Sequence, residues 1–458
     1  MRTSRRLFMT GSAAMATAAA LGQRVEAQPA PANTPPAQPA PLRIRKNIEA
    51  LSSTELQAYE RAIEILKKRS DTNPADPEGY RYWANLHDDF DTTHSGCSHF
   101  SEKFFPWHRR HLFDFENVLR KADPAVTANV MIPYWDWSKP PKDGVKFPKA
   151  FENQSSPLFT TRRNRTPPPW DEADLKGLIQ ETDWSLFAGQ PDPSEGFGSF
   201  PGNVEVGPHN TLHTNISRLM ADPSTAATDP IFWSFHSYID VVWTRWQRLF
   251  VTDQRPQPFA DGATLLWYRD RSFPVSSTAK ISDYNYAYEY DYSIDAPPAP
   301  VVASAGIRAP AKNVAALAAV SDTARSASFK SGAPVAPTSN SVLRLAAVRV
   351  FRDKTYAVDV YLNPPGIDIS SLGEEARRNF LVRKVSLWKA HHDQTVEVFL
   401  RLDAAQLERL NSGWVVTLKT EANLGDEELS GMLRASPSPT FTLPNTSSLV
   451  GSVEIQER

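Results

Sequence analysis

Through the middle of the chain, apolar residues recur at helical intervals, and each stripe carries a histidine. His108 is followed by Leu112, Phe115 and Leu119, which at ~100° per residue share its face of a helix. Tyr80, Trp83, Ala84 and His87 make a second such stripe, and His209, His213, Ile216 and Met220 a third. The fourth is Phe232, His236, Asp240 and Trp243, with Asp229 as the expected N-cap and Pro230 at the first helical position. A further helix is predicted from Ser53 to about Lys68. Between Pro140 and Gly207 the chain is rich in Pro, Gly and aromatics, which predicts long loops with short helices. From Val342 the period changes to strand-like alternation in LRLAAVRVF, YAVDVYLN, VEVFLRL, WVVTLKT and VGSVEIQ. The fold class expected is mainly α, a four-helix-bundle core with long loops, followed by an all-β sandwich.

A histidine on a buried stripe is either a core residue bonded to backbone or a metal ligand. One such residue favours the first reading; four helices, with His99 beside them in Cys97-Ser-His99, shift it to the second. Two imidazoles one turn apart, such as His209 and His213, can reach one ion. The six separate into His87, His99 and His108, then His209, His213 and His236, three neutral imidazoles for each of two metals. No carboxylate completes either trio, which disfavours hard oxygen-seeking ions and suits copper or zinc. Of the other histidines, His94 lies in a polar turn, and His111 sits about 60° off the His108 stripe. His391 and His392 belong to the β region.

Length and charge narrow the partners. The chain's 458 residues are enough for two domains, and 50 basic against 52 acidic residues leave no basic patch for nucleic acid. No apolar run is long enough to span a bilayer. Residues 1–27 read as a twin-arginine signal: Ser4-Arg5-Arg6-Leu7-Phe8-Met9, an Ala-rich apolar stretch, then the small-residue site Val25-Glu26-Ala27. They predict engagement of the Tat export machinery and a periplasmic or extracellular destination. Residues 28–42 are a Pro/Ala tether, 43–296 the helical domain, 297–341 an Ala/Pro/Ser-rich linker and 342–458 the β domain. In an exported chain a single cysteine, Cys97, has no intrachain partner for a disulfide.

Cys97-Ser-His99, Phe105-Pro-Trp-His108-Arg109, Ile132-Pro-Tyr-Trp-Asp-Trp137, His209-Asn-Thr-Leu-His213 and Asp229-Pro-Ile-Phe-Trp-Ser-Phe-His236 resemble the tyrosinase and polyphenol oxidase family. The resemblance runs from about Arg43 to Ser293, with Phe235 standing where the family usually has a histidine. It implies a binuclear copper centre of two ions held by the six histidines. It also implies small phenolic substrates, with dioxygen as the oxidant. Cys97-Ser-His99 resembles the arrangement in which the cysteine sulfur is covalently joined to the second histidine. Glu205 and Asn210 resemble a pair that holds an activating water, and phenols, which ionise near pH 10, need such help at neutral pH.

Phe259–Asp270, Tyr286–Tyr292 and Tyr356–Asn363 resemble plant polyphenol oxidase segments, and the last lies in a domain that in those proteins covers the site. Trp107, Trp135, Trp137, Phe232 and Trp233 are candidates for a dry aromatic shell, and Arg109, Asp136 and Asp240 for groups that orient the imidazoles. The expected activity is oxidation of o-diphenols to o-quinones, with ortho-hydroxylation of monophenols in addition, in a latent form. An o-aminophenol oxidase is the nearest alternative, and a haemocyanin-like oxygen carrier uses the same six histidines. A zinc hydrolase would need an activating carboxylate and would leave Cys97 unexplained.

Overall fold

A computed structural model describes residues 41–88, 97–139, 147–161, 170, 172–190, 200–253, 256–259, 265–268, 271–295, 312–322, 326–331, 340–352, 354–390, 393–422 and 445–457. The export signal, nearly all of the tether, His94, His391, His392 and parts of Pro140–Gly207 and Phe259–Asp270 lie outside these residues. Among the described residues no helix is long and apolar enough to cross a membrane.

The helical domain is built from α1 (Ser53–Thr72), α2 (Tyr80–Asp88), α3 (Phe104–Lys121), α4 (Asn210–Ile216) and α5 (Ile231–Phe250). Ser52 and Glu55 close a capping box ahead of α1. Asp229 satisfies the first free N–H of α5, its carboxylate accepting from Ile231 N. The expected inward stripes pack into one apolar cluster with Tyr59, Leu66, Trp243 and Trp246.

A short parallel pairing of β1 (Arg43–Arg45) with β2 (Tyr286–Tyr288) joins the start of this domain to its end. It delivers Arg45 into a buried ionic network. Arg45 pairs with Glu116 at 2.9 Å and Asp240 at 3.4 Å, and Arg109 meets the other Asp240 oxygen at 2.6 Å. The Tyr286 and Tyr288 hydroxyls each donate to Asp240 at 2.6 Å. Burial alone would raise the Asp240 pKa, but the two guanidiniums outweigh it and hold the carboxylate below its ordinary range.

The β domain has eight antiparallel strands: β3 (Lys312–Asp322), β4 (Ser326–Ser331), β5 (Ser341–Val350), β6 (Tyr356–Asn363), β7 (Leu381–Leu387), β8 (Gln394–Arg401), β9 (Val415–Ala422) and β10 (Ser452–Glu457). Their order is β8-β5-β10-β3-β4-β9-β6-β7. The first half of β3 pairs with β10 and the second half with β4, so the strand passes from one layer to the other. Leu343, Leu345, Val398 and Ile455 from one side share a core with Val358, Val360, Val385 and Leu418 from the other.

Two differences from the sequence reading stand out. The segment 297–341, read as linker, supplies β3 and β4 in the middle of the sheet, because KNVAALAAVSD presents small side chains and hides its alternation. In β7, absent from the predicted strands, Arg383 and Lys384 interrupt the apolar pattern of LVRKVSL.

Candidate metal centre

The six histidines meet in one buried volume. His87 comes from α2, His108 from the first turn of α3, and His236 from the first turns of α5. His99 sits on the loop before α3. His213 is in α4, whereas His209 ends a wide π-type turn, Glu205–His209, with non-helical backbone at Gly207 and Pro208 inside it. A Cβ on Gly207 would lie 3.2 Å from the Trp170 ring, a tight contact that the indole would have to yield to.

Ligand-type atoms of His87, Cys97, His99 and His108 lie within 4.8 Å of one another, and so do those of His108, His209 and His236. His108 therefore belongs to both clusters, and its ring stacks on His236 at 4.4 Å. His213 packs against the second cluster, its ring centroid 4.5 Å from His209 and 5.2 Å from His236.

The outer nitrogens fix the tautomers. Nδ1–H donates to a backbone carbonyl in four cases: His87 to Pro223 at 2.9 Å, His108 to Phe104 at 2.8 Å, His213 to Met220 at 2.8 Å and His236 to Phe232 at 3.0 Å. In His209 it donates to the Asn210 amide oxygen at 2.9 Å. The inward Nε2 atoms then carry lone pairs. Those of His209 and His236 face each other at 3.2 Å, and those of His87 and His213 are buried with no hydrogen-bond partner among the described residues. Converging lone pairs in a dry pocket repel one another unless a cation lies between them, so these residues fit soft or borderline metal ions bound by nitrogen.

Burial pushes the His87 pKa down to about 4 and holds His108, His209, His213 and His236 well below their ordinary value, with neighbouring imidazoles adding to the fall. At neutral pH these rings are uncharged and ready to ligate. His111 faces elsewhere, its Nε2 lying 2.9 Å from the Trp83 carbonyl oxygen.

Cys97 Sγ lies 3.9 Å from His99 Nε2 and 3.4 Å from His108 Nε2. Burial, with the Glu205 charge in support, pushes its thiol up. Glu205 is itself buried. One carboxylate oxygen accepts from Phe100 N at 2.7 Å while the other has no partner among the described residues, and burial lifts its pKa to about 8. Asn210 uses its amide nitrogen differently, donating to the Ser386 carbonyl of β7 at 2.8 Å.

Of the proposed shell, Trp107 and Phe232 touch the imidazoles, at 5.1 Å from His108 and 4.0 Å from His236. Trp135 packs on Phe147, Trp137 on Tyr238 and Trp233 on Phe115. Phe104 and Phe235 lie closer to the site than these three, at 4.7 Å and 5.7 Å from His209. Asp136 accepts from Ser138 at 2.6 Å and pairs with Lys139 at 2.8 Å. Arg109 and Asp240, each one step removed from a histidine on α3 or α5, tie those helices together.

A residue absent from the sequence reading closes the site. Trp388, just after β7, reaches in from the β domain and stacks on His213, with centroids 4.1 Å apart and planes 26° from parallel. Its ring is 5.4 Å from His99 and 5.7 Å from His209, and its indole N–H donates to the Ala221 carbonyl at 2.9 Å. No local pattern marks it; only the docking of β7 makes it a neighbour of the imidazoles.

Residues 77–182 and 153–249 match the common central domain of tyrosinase. Tyrosinase HcTyr1 of Hahella sp. (strain CCB-MM4) is 29% identical over 251 residues, covering 45% of this chain and 53% of that protein. Chloroplastic polyphenol oxidase E of Solanum lycopersicum is 26% identical over 253 residues, covering 45% of this chain and 41% of that protein. The chain thus matches about half the length of these curated relatives. The fold is similar over a longer span. A structure of latent apple tyrosinase superposes with a TM-score of 0.65 at 20% identity, over 92% of this chain and 98% of that one. Latent aurone synthase gives a TM-score of 0.64 at 17% identity, over 91% and 90%. All six histidines lie within the matched residues, and over 77–249 the chain carries the common central domain of tyrosinase.

Proposed function

We propose that this chain is a latent, copper-dependent oxidase of phenols. It would convert o-diphenols to o-quinones and, with Glu205 and Asn210, hydroxylate monophenols. The observation carrying this reading is the set of inward Nε2 atoms, two of them 3.2 Å apart and two without a hydrogen-bond partner among the described residues. His87, His99 and His108 would hold one copper and His209, His213 and His236 the other. Bound there, the pair would supply the one-electron steps that couple phenol oxidation to reduction of dioxygen. In the diphenol reaction two substrates each lose two electrons and two protons, and one dioxygen takes them up as two waters.

The protein's own part is to keep the rings neutral, fix their tautomers and exclude bulk water with Phe104, Trp107, Phe232 and Phe235. Glu205 supports the monophenol step because its partnerless oxygen can hold a water or take a phenol proton. The Cys97-Ser-His99 spacing, with the sulfur 3.9 Å from His99 Nε2, supports a thioether to a His99 ring carbon. That bond replaces one S–H and one C–H, and the two electrons and two protons go to dioxygen. The Trp388 stack supports latency, since a planar substrate ring would need the space its indole fills. The twin-arginine pattern supports export of the folded chain.

The test is to load the purified full chain with copper and assay oxygen uptake with L-DOPA and tyrosine, before and after cleavage between the domains. Two coppers per chain and quinone formation after cleavage are expected. Copper binding without quinone from any phenol would favour an oxygen carrier, and quinone imine from o-aminophenols alone would favour the aminophenol oxidase.

A further inference from the structure

The six histidines are supported in two different ways. His108 and His236 donate to carbonyls four residues earlier on their own helices, and His87 to Pro223, all within the helical domain. The other three are flanked by contacts with the β domain. Asn210 accepts from His209 through Oδ1 and donates through Nδ2 to the Ser386 carbonyl, a two-bond relay from β7 to the imidazole. Beside it, the Thr211 and Ser386 hydroxyls bond at 2.6 Å. His213 donates to Met220, and the next two residues are held by the β domain: Ala221 accepts from Trp388, and Asp222 pairs with Lys389 at 3.4 Å. Phe100, adjacent to His99, has φ +57°, a left-handed conformation costly for a bulky residue. It and Val206 are buried in the same apolar cluster as the β strands.

We infer that the β domain has a second function besides covering the site: docked, it braces His99, His209 and His213, so that domain docking and metal binding strengthen each other. The inference rests on the copper reading above. Its physical basis is that partners of a ligand's outer nitrogen set its orientation, and their loss typically lowers metal affinity about 10–100-fold. In the second trio His209 is tied through Asn210 and His213 is stacked by Trp388. In the first trio His99 and the His87 acceptor Pro223, next to Asp222, are reached through a neighbouring residue, so loosening the domain weakens the second metal more. Any such coupling is reciprocal, and metal must hold the domain down by the same factor.

Reciprocity gives a test on the intact wild-type chain with copper alone as the probe. Hydrogen exchange is followed at residues 381–390 and at β5, in the metal-free and copper-loaded protein. The expected result is about tenfold or greater slowing at 381–390 beyond any change at β5. In parallel, Arg401→Ala removes a docking contact that touches no histidine, the pair of Arg401 with Glu181 at 2.8 and 2.9 Å. Competition titration should show weaker copper binding, with the second equivalent affected first. Two coppers bound with unchanged exchange at 381–390 overturns the brace and leaves the copper reading intact. Unchanged copper affinity in an Arg401→Ala chain whose 381–390 amides exchange faster does the same. A wild-type chain that binds no copper overturns both.

Discussion

The Trp388 indole lies over the His213 imidazole with ring centroids 4.1 Å apart, and the indole is 1% exposed. A side chain from the β domain thereby covers a face of the imidazole cluster that, under the proposed function, an aromatic substrate would need. Trp388→Ala should open that face without cleavage. Assayed with excess copper, the uncut variant is expected to oxidise L-DOPA at least about tenfold faster than uncut wild type. The loss of a buried tryptophan should also lower stability by about 3–5 kcal/mol, read by denaturant unfolding. Equal latency in variant and wild type would mean that another group blocks entry.

Under the proposed function, Glu205 should separate the two phenol reactions. Glu205→Gln keeps the side-chain shape and the bond from Phe100 but cannot take a proton. On cleaved protein, tyrosine hydroxylation should fall about 100-fold while L-DOPA oxidation changes less than about threefold. Parallel losses on both substrates would assign Glu205 to site architecture instead.

Acid should destabilise the metal-free protein. His87 has a folded pKa of about 4 against an ordinary 6.5, so unfolding takes up a proton between these values and stability falls as pH drops. By pH 4 this costs about 3 kcal/mol from His87 alone, and the other depressed imidazoles add to it. Glu205, raised from 4.5 to about 8, acts oppositely: its contribution is full below 4.5 and is lost as pH rises through 8. The imidazoles outnumber it, so the melting temperature of metal-free protein should fall as pH drops below about 6.5. A flat profile from pH 7 to 5 would contradict the buried, neutral state of these rings.

Asp240 holds two guanidiniums and two phenols inside the helical domain. Asp240→Asn leaves Arg45 and Arg109 short of a buried counter-charge, and a loss of about 3–5 kcal/mol is expected in urea unfolding. A change under about 1 kcal/mol would show that Glu116 and the surrounding carbonyls suffice.

The histidines on α2, α3 and α5 were legible because a helix repeats its inward face, so each imidazole announced itself by the apolar residues above and below. His209 followed the same spacing although it ends an irregular turn, since Asn210–Ile216 continues directly from it. What was not legible depended on contacts between distant segments. Trp388 follows a strand broken by Arg383 and Lys384, and nothing nearby in sequence says that it will meet His213. The β3 strand was hidden by alanines, whose small side chains give little contrast between faces. Phe104 and Phe235 were outranked by tryptophans that pack farther out, because size alone does not tell which ring faces the imidazoles. The paired roles of Asn210, bonded on one side to His209 and on the other to Ser386, could be read only from the docked domains.

The pairing of Arg43–Arg45 with Tyr286–Tyr288 limits where the chain can be cut without loss to the helical core. Scission upstream of Tyr286 would strip both phenols from Asp240 and unfasten the first residues of the helical half. Asp295, which binds Arg245 at 2.7 Å, moves the boundary further along. A cut that leaves these contacts of the helical core whole therefore falls after Asp295.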